Sequence, residues 1–120
     1  LWGITAGVYL ALMGPQGMAE LGEGIMQRVA YAIELLKTIP GIKVPVLSSP
    51  SFKEFVVDFD ATGKKVADIN KQLLEHKIFG GKDLSVKFPE LGNSALFCIT
   101  EVHTQADIHR LVDALRQVLA

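Results

Sequence analysis

One short segment of the chain has residue types that could bind phosphate. Gly80, Gly81 and Lys82 stand side by side, and glycine-rich loops followed by lysine can hold phosphate groups through backbone N–H groups and an ammonium. Such a loop also needs a wider glycine spacing, a Ser or Thr after the lysine and a helix behind it. Here Asp83 follows the lysine, and the next residues predict a strand. We therefore interpret the two glycines as a helix-to-strand bend that uses positive φ, with phosphate binding as the minor alternative.

The three histidines do not predict a metal site. His76 falls at the end of a predicted helix, where a cation is favourable. His103 comes just before the last predicted helix, and His109 lies on the polar side of its first turns. None of them has a second His, Cys or carboxylate at metal-ligand spacing. We predict surface or capping roles for all three.

Candidate nucleophiles and paired acids are equally unconvincing. Ser48, Ser49 and Ser51 lack the Gly-x-Ser-x-Gly arrangement of a nucleophile elbow. Asp58 and Asp60 alternate along a predicted strand, so both are expected on its solvent face. From its own residues, the chain is predicted to carry no catalytic, cofactor-binding or metal-binding residue.

The composition excludes several classes of protein. The chain has 120 residues, 49% of them hydrophobic, and a net charge of −1, which fits one globular domain rather than a nucleic-acid or polybasic membrane binder. Cys98 is the single cysteine, which excludes an internal disulfide, and its apolar neighbours predict a buried thiol. The apolar run 4–13 is too short to span a bilayer and lacks the basic flank of a signal peptide. Because the sequence begins at Leu1 within a helical pattern, we expect it to be a piece of a longer protein.

Two leading helices are predicted within residues 1–40. Residues 4–13 are apolar nearly all round, so this short helix must be buried against something. Gly14 and the proline after it interrupt the pattern, and apolar residues then recur at three- and four-residue steps over 16–38. Gly22 and Gly24 in this second helix suggest tight packing on a neighbour.

The remaining residues, 52–120, predict a β-α-β-β-α core. Apolar and polar residues alternate in three segments, and a capping box at Thr104 to Asp107 opens the last helix. The predicted elements are strand 52–60 with Phe55, Val57 and Phe59 inward, helix 64–76 with Val66, Ile69 and Leu73 inward, strand 84–88 with Leu84, Val86 and Phe88 on one face, strand 95–101 and helix 105–119. We therefore predict a single α+β domain, 1–120, in which a small, mostly antiparallel three-stranded sheet is covered by helices on one face.

Four segments of the sequence carry a family resemblance. They are "AGVYLALMGPQGMAEL" (6–21), "FKEFVVDF" (52–59), "LLEHKIFGGKDL" (73–84) and "PELGNSALFCITEVHTQADIHRLVDAL" (89–115). In this order and spacing they resemble the C-terminal domain of the alpha-type subunit, subunit 1, of the glycine cleavage system P-protein, glycine dehydrogenase (decarboxylating). The resemblance implies the small domain of a pyridoxal-phosphate (PLP) enzyme of fold type I.

The resemblance also implies a function for the full enzyme. That enzyme decarboxylates glycine on PLP and passes the aminomethyl group to the lipoyl arm of H-protein in the cytoplasm. The implied partners are the chain's own N-terminal large domain, P-protein subunit 2 in a heterotetramer, and lipoylated H-protein. The Schiff-base lysine belongs to subunit 2, so the resemblance implies no bound cofactor and no activity for this chain alone. The sequence Leu84-Ser85-Val86 departs from the Leu-Gly-Arg of many family members, and the three arginines all fall on predicted helices.

Two hypotheses of different classes remain at the level of sequence. In the first, the chain is a noncatalytic part of a PLP enzyme, and helix 4–13 with part of helix 16–38 packs against the missing large domain. In the second, β-α-β-β-α is an incomplete ferredoxin-like domain that regulates or binds a small ligand by itself. Calorimetry separates them, because only the second predicts saturable amino-acid binding by the isolated chain.

Overall fold

The computed structural model describes residues 1–120 and confirms the α+β class. Its elements are α1 (Trp2–Leu36), β1 (Glu54–Asp58), α2 (Val66–Glu75), β2 (Lys82–Asp83), β3 (Ser94–Cys98) and α3 (Gln105–Leu119), with 3₁₀ turns at Asp60–Thr62 and Pro89–Leu91. The strands form one antiparallel sheet in the order β1-β3-β2. The helices pack on one face of this sheet, as the alternation in the strands predicts.

Helix α1 consists of two helical pieces joined at Gly14. This residue has φ 64° and ψ 176°, which is outside the helical region and is tolerated by glycine alone. Pro15 follows and lacks the N–H that a continuous helix would use. The predicted pair of leading helices is therefore confirmed, with the break at the predicted residue.

The core lies between the inner face of the sheet and the helices. Phe55, Val57 and Phe59 are all at most 3% exposed, as predicted. Strand β1 pairs with β3 over five residue positions, from Glu54 opposite Cys98 to Asp58 opposite Ser94. Val56 is also buried, so the prediction of a single buried face for this strand is wrong. The loop after α1 runs along the free edge of β1, where Lys43 forms an antiparallel bridge with Asp58 and the N–H of Val46 donates to the carbonyl of Val56 at 3.1 Å.

The predicted strand 84–88 is wrong. Strand β2 is Lys82–Asp83, and the chain turns immediately after it. The carboxylate of Asp83 accepts hydrogen bonds from the backbone N–H and the hydroxyl of Ser85, at 2.9 and 2.6 Å. This local side-chain bonding competes with strand pairing and folds the segment into a turn, leaving Val86 89% exposed.

The bend at Gly80 and Gly81 lies where the sequence predicts it, but its predicted mechanism is wrong. The positive φ in this segment belongs to Lys77, at 58°, and to neither glycine. Glycine is required at both positions because there is no room for a side chain. A Cβ on Gly80 would lie 2.1 Å from Oδ1 of Asn70, and a Cβ on Gly81 would lie 2.5 Å from Cε2 of Phe97. The amide of Asn70 also donates to the carbonyl of Gly81 at 2.8 Å, which holds the bend against α2.

The predicted capping box at the start of α3 is confirmed. The hydroxyl of Thr104 accepts from the N–H of Asp107 at 3.2 Å, and the carboxylate of Asp107 accepts from the N–H of Thr104 at 2.8 Å. The Thr104 hydroxyl also donates to the same carboxylate at 2.7 Å. These bonds satisfy N–H groups that the first helical turn leaves free, and they fix where α3 begins.

This capping box gives a testable pH dependence. The side-chain and then the backbone hydrogen bonds from Thr104 hold the pKa of the Asp107 carboxyl below its usual value. A carboxyl with a lowered folded-state pKa stabilises the fold above its unfolded pKa, and this stabilisation is lost as the pH falls through the folded pKa. We expect Asp107→Asn to melt at a lower temperature than wild type at pH 7, and the difference to shrink below about pH 4. Circular dichroism melts of both proteins, with Glu101→Gln as the exposed control, would measure this, and a pH-independent difference would contradict it.

Candidate interaction surfaces

The structure does not bring the three histidines together. His76 ends α2 and is exposed. Nδ1 of His103 accepts from the N–H of Thr100 at 2.9 Å, and Nε2 of His109 lies 2.7 Å from the hydroxyl of Tyr31. These contacts are local or on the surface, as predicted for these side chains. The chain contains no group of three or more His, Cys, Asp or Glu side chains that could hold a metal ion.

The three arginines connect elements of the fold. Arg28 of α1 donates to a carbonyl of the loop before α3 at 3.0 Å. Arg110 of α3 donates to the carbonyl of His76 at 2.8 Å and so caps the C-terminal end of α2. Arg116 donates to the hydroxyl of Thr38 at 2.8 Å, which ties the end of α3 to the end of α1. All three guanidinium groups therefore have partners within the chain.

The candidate serines lie in a loop, and the candidate aspartates form hydrogen bonds that hold local backbone structure. The three serines lie in the loop 42–51 and its end, without a histidine bonded to any of them. The carboxylate of Asp58 accepts from the N–H of Asp60 at 2.7 Å, and that of Asp60 accepts from the N–H of Asn93 at 2.8 Å. The prediction that both carboxylates share the solvent face of one strand is wrong for Asp60. It starts a 3₁₀ turn after the strand and anchors the loop that leads into β3.

Cys98 is exposed, so the predicted buried thiol is wrong. It is the last residue of β3 and pairs with the exposed Glu54 of β1. Because side chains alternate along a strand, Phe97 points into the core and Cys98 points to the face that carries no helix.

The N-terminal piece of α1 exposes an apolar surface. We call residues Trp2–Leu12 the leading segment. Trp2, Ile4 and Leu12 are 89%, 71% and 82% exposed, and the first charged side chain is Glu20. No helix of the chain is both long enough and apolar enough to cross a membrane. The apolar ridge expected from the sequence is therefore present, and nothing within these 120 residues covers it.

A second surface surrounds Phe79, whose side chain is 92% exposed. We call it the Phe79 cleft, a cavity of about 580 Å³ between the bend after α2, strand β3 and the first turns of α3. Leu96 and Cys98 form part of its floor. Its charged and titratable lining residues are Glu54, Lys77, Lys82, His103, Asp107 and Arg110.

A shallow groove continues from the Phe79 cleft across the outer face of the sheet. This groove has a volume of about 540 Å³ and lies between the loop 45–53 and the strands. It shares Glu54, Leu96 and Cys98 with the cleft. The two depressions are therefore adjacent, and they share part of their lining where Glu54 pairs with Cys98 at the end of β3.

Comparisons with known proteins agree with the resemblance seen in the sequence. No protein-family model matches the chain. It is 41% identical over 116 residues to the probable glycine dehydrogenase (decarboxylating) subunit 1 of Staphylothermus marinus, covering 97% of this chain and 24% of that protein. It is 38% identical over 120 residues to the protein of the same name from Moorella thermoacetica, covering 100% of this chain and 26% of that protein.

A solved structure matches as well. It is the crystal structure of glycine decarboxylase (P-protein) of the glycine cleavage system in inhibitor-bound form, with a TM-score of 0.80 and 30% identity over 92% of this chain and 24% of that one. The chain thus spans about a quarter of the length of the relatives it matches. These matches confirm the resemblance and the fold that it implies.

Proposed function

On the premise that this chain is homologous to about a quarter of glycine dehydrogenase (decarboxylating) subunit 1, we propose that it is a bracing C-terminal domain of that subunit. The complete enzyme would decarboxylate glycine with PLP and transfer the aminomethyl group to the lipoyl arm of H-protein. Subunit 2, lipoylated H-protein and the chain's own large domain are the proposed partners, in a cytoplasmic heterotetramer. The role of this chain is to pack against and position the rest of the enzyme.

The setting of its lysines supports a role without bound cofactor. A lysine that forms a Schiff base with PLP sits beside a site that positions the cofactor. Eight of the nine lysines here are exposed, and the ninth, Lys64, donates to the carbonyl of Val118 at the end of α3. Gly80 and Gly81, the other candidate for phosphate contact, are packed against Asn70 and Phe97 and lead into a strand. The residues present therefore do not fit PLP, and we derive no chemical step from them.

The observation that carries the proposal is the exposed leading segment. Its large side chains lie in solvent, and a Cβ at Gly3 or Gly7 would meet no atom within 4 Å. Isolated domains rarely expose such contiguous apolar surface unless it is an interface. Interfaces that stay permanently covered are apolar and poor in charge, as this segment is. Since about three quarters of the related subunit lies outside this chain, we assign that polypeptide as the cover.

A variant of the leading segment tests this role. We expect Trp2→Ser/Leu12→Ser, placed in full-length subunit 1, to lower glycine decarboxylation in a mixture with subunit 2 and H-protein by about tenfold or more, because two apolar anchors are lost from the interface. The measurement is release of labelled carbon dioxide from glycine.

The matched control is Leu74→Ser. Leu74 is 52% exposed on α2, so this change removes a similar helical side chain from another surface. Its decarboxylation rate should stay close to wild type. Wild-type activity of the double variant, or saturable glycine binding by the isolated chain in calorimetry, would contradict the bracing role and favour the free-standing ligand-binding module.

A further inference from the structure

The Phe79 cleft differs in chemistry from the leading segment. The leading segment contains no charged side chain, whereas the cleft places an apolar floor within a charged rim. Phe79 stands at this cleft with only 8% of its surface covered, since it is 92% exposed. An apolar centre with a charged, hydrated rim is the usual anatomy of an interface that forms and dissociates.

The rim has a surplus of unpaired positive charge. Neither Lys77 nor Lys82 takes part in a salt bridge, because the two salt bridges of the chain join Lys37 to Glu34 and Arg116 to Asp113. Both lysines are exposed and line the cleft, where Glu54 is the only acid without a hydrogen-bond partner.

The remaining charged groups of the cleft are already engaged. Arg110 donates to the carbonyls of His76 and Lys77, at 2.8 and 3.2 Å. The carboxylate of Asp107 is held by Thr104 in the capping box. Two lysines therefore face one free carboxylate, and this imbalance favours a partner with acidic groups.

We propose that the Phe79 cleft is a docking site for a separate protein, which inserts an apolar side chain beside Phe79 and places acidic groups against Lys77 and Lys82. This inference rests on the proposed function, because it makes the cleft the place where subunit 1 meets another protein of the enzyme system. The shared floor at Leu96 and Cys98 lets the contact extend into the groove on the outer face of the sheet.

Charge also decides between this occupant and two others. A second copy of the chain docked through the same cleft would bring two rims with a surplus of positive charge together, and like charges across an interface oppose binding. Polypeptide of subunit 1 itself would cover the cleft permanently, and a permanent cover favours an uncharged surface such as the leading segment. A separate acidic partner would cover the exposed Phe79 ring and would also pair with the ammonium groups of Lys77 and Lys82.

Binding titrations with full-length subunit 1 test the proposal. Subunit 2 and lipoylated H-protein are the probes, titrated separately in a calorimeter at low and at high salt. We expect Phe79→Ala and Lys77→Glu/Lys82→Glu each to weaken the binding of one of the two probes by about tenfold or more at low salt. The loss caused by the charge reversal should become smaller at high salt, because salt screens exposed charges.

Matched controls change the same residue types away from the cleft. Lys65→Glu/Lys71→Glu reverses two exposed lysines on α2 and its start, and Val86→Ala trims a side chain that is 89% exposed in the turn after β2. Both controls should bind within about twofold of wild type, as surface changes outside an interface do. Thermal melts show whether each variant is folded. If Lys77→Glu/Lys82→Glu lowers the melting temperature, the single variant Lys82→Glu replaces it in the binding titrations.

Three results would overturn the proposal. The first is wild-type affinity of both cleft variants for both probes. The second is weaker binding by Phe79→Ala with no effect of charge reversal, which would mean that the occupant is not acidic. The third is a lower melting temperature of uncomplexed subunit 1 in every cleft variant, which would mean that its own polypeptide covers the cleft. None of these results alters the decarboxylation test of the leading segment, so the two proposals can fail separately.

Discussion

Replacing Phe59 by Ala is expected to lower the free energy of unfolding of the chain by about 3–5 kcal/mol. The Phe59 side chain is 0% exposed, and its ring centre lies 6.4 Å from that of Phe97. Its removal loses the transfer free energy of an aromatic ring and leaves a cavity that the surrounding helices fill only partly. Urea denaturation followed by circular dichroism, with two-state analysis, measures the change.

The matched control is Phe79→Ala, which removes the same group from a side chain that is 92% exposed. It should change the free energy of unfolding by less than about 0.5 kcal/mol. Equal effects of the two substitutions would mean that burial of the Phe59 ring does not stabilise the fold.

Replacing Gly81 by Ala is expected to lower the free energy of unfolding by about 1–3 kcal/mol, or more if the strand cannot shift. The added Cβ would lie 2.5 and 2.6 Å from two atoms of the Phe97 ring and 2.9 Å from the Cβ of Ala95. Because Gly81 does not have positive φ, the loss comes from this overlap and not from backbone strain. Urea denaturation of the variant and of wild type measures it.

Two further variants make this test specific. Gly7→Ala adds a Cβ that meets nothing within 4 Å on a helix, so it should be neutral or stabilise by up to about 1 kcal/mol. In a Phe97→Leu background, the Gly81→Ala loss should become smaller, since the two sites share one space and their effects are not additive. If Gly81→Ala lowers the free energy of unfolding equally in that background, overlap with the Phe97 ring is not the cause of the loss.

The elements that the sequence predicts correctly depend on local signals. The helical spacing of Val66, Ile69 and Leu73, the break at Gly14 and the cap at Thr104 are each encoded within a few residues. All of them survive folding because the tertiary structure adds packing to a preference that already exists.

The errors fall where a tertiary or competing interaction decides. The alternation through Leu84 and Val86 is typical of a strand, but hydrogen bonds from Ser85 to the Asp83 carboxylate close a turn first. The apolar run around Cys98 is typical of burial on both faces, yet helices cover only one face of this sheet. Which face is covered depends on distant parts of the chain, so a short sequence window cannot contain that information.

The sequence predicts one of the two exposed surfaces, the leading segment, but not the Phe79 cleft. The exposed ridge of the leading segment follows from a helix that is apolar all round within a domain of limited size. The sequence does not predict the Phe79 cleft, because Phe79 lies in a bend, outside any periodic pattern. The signal that indicates it is an aromatic residue followed directly by two glycines. The two glycines pack closely against neighbouring side chains, and the aromatic ring before them does not.

The break in α1 at Gly14 makes the leading segment project from the rest of the molecule. The leading segment extends from the body over roughly 16 Å at the rise of an α-helix, and the longest dimension of the chain is 48 Å against 30 and 29 Å across. A Cβ at Gly14 would meet no atom within 4 Å, so glycine is needed here for its positive φ and not for space. The non-helical backbone at this residue sets the angle between the two helical pieces of α1. The direction of the leading segment relative to the rest of the chain is thus set by the backbone torsions of a single residue.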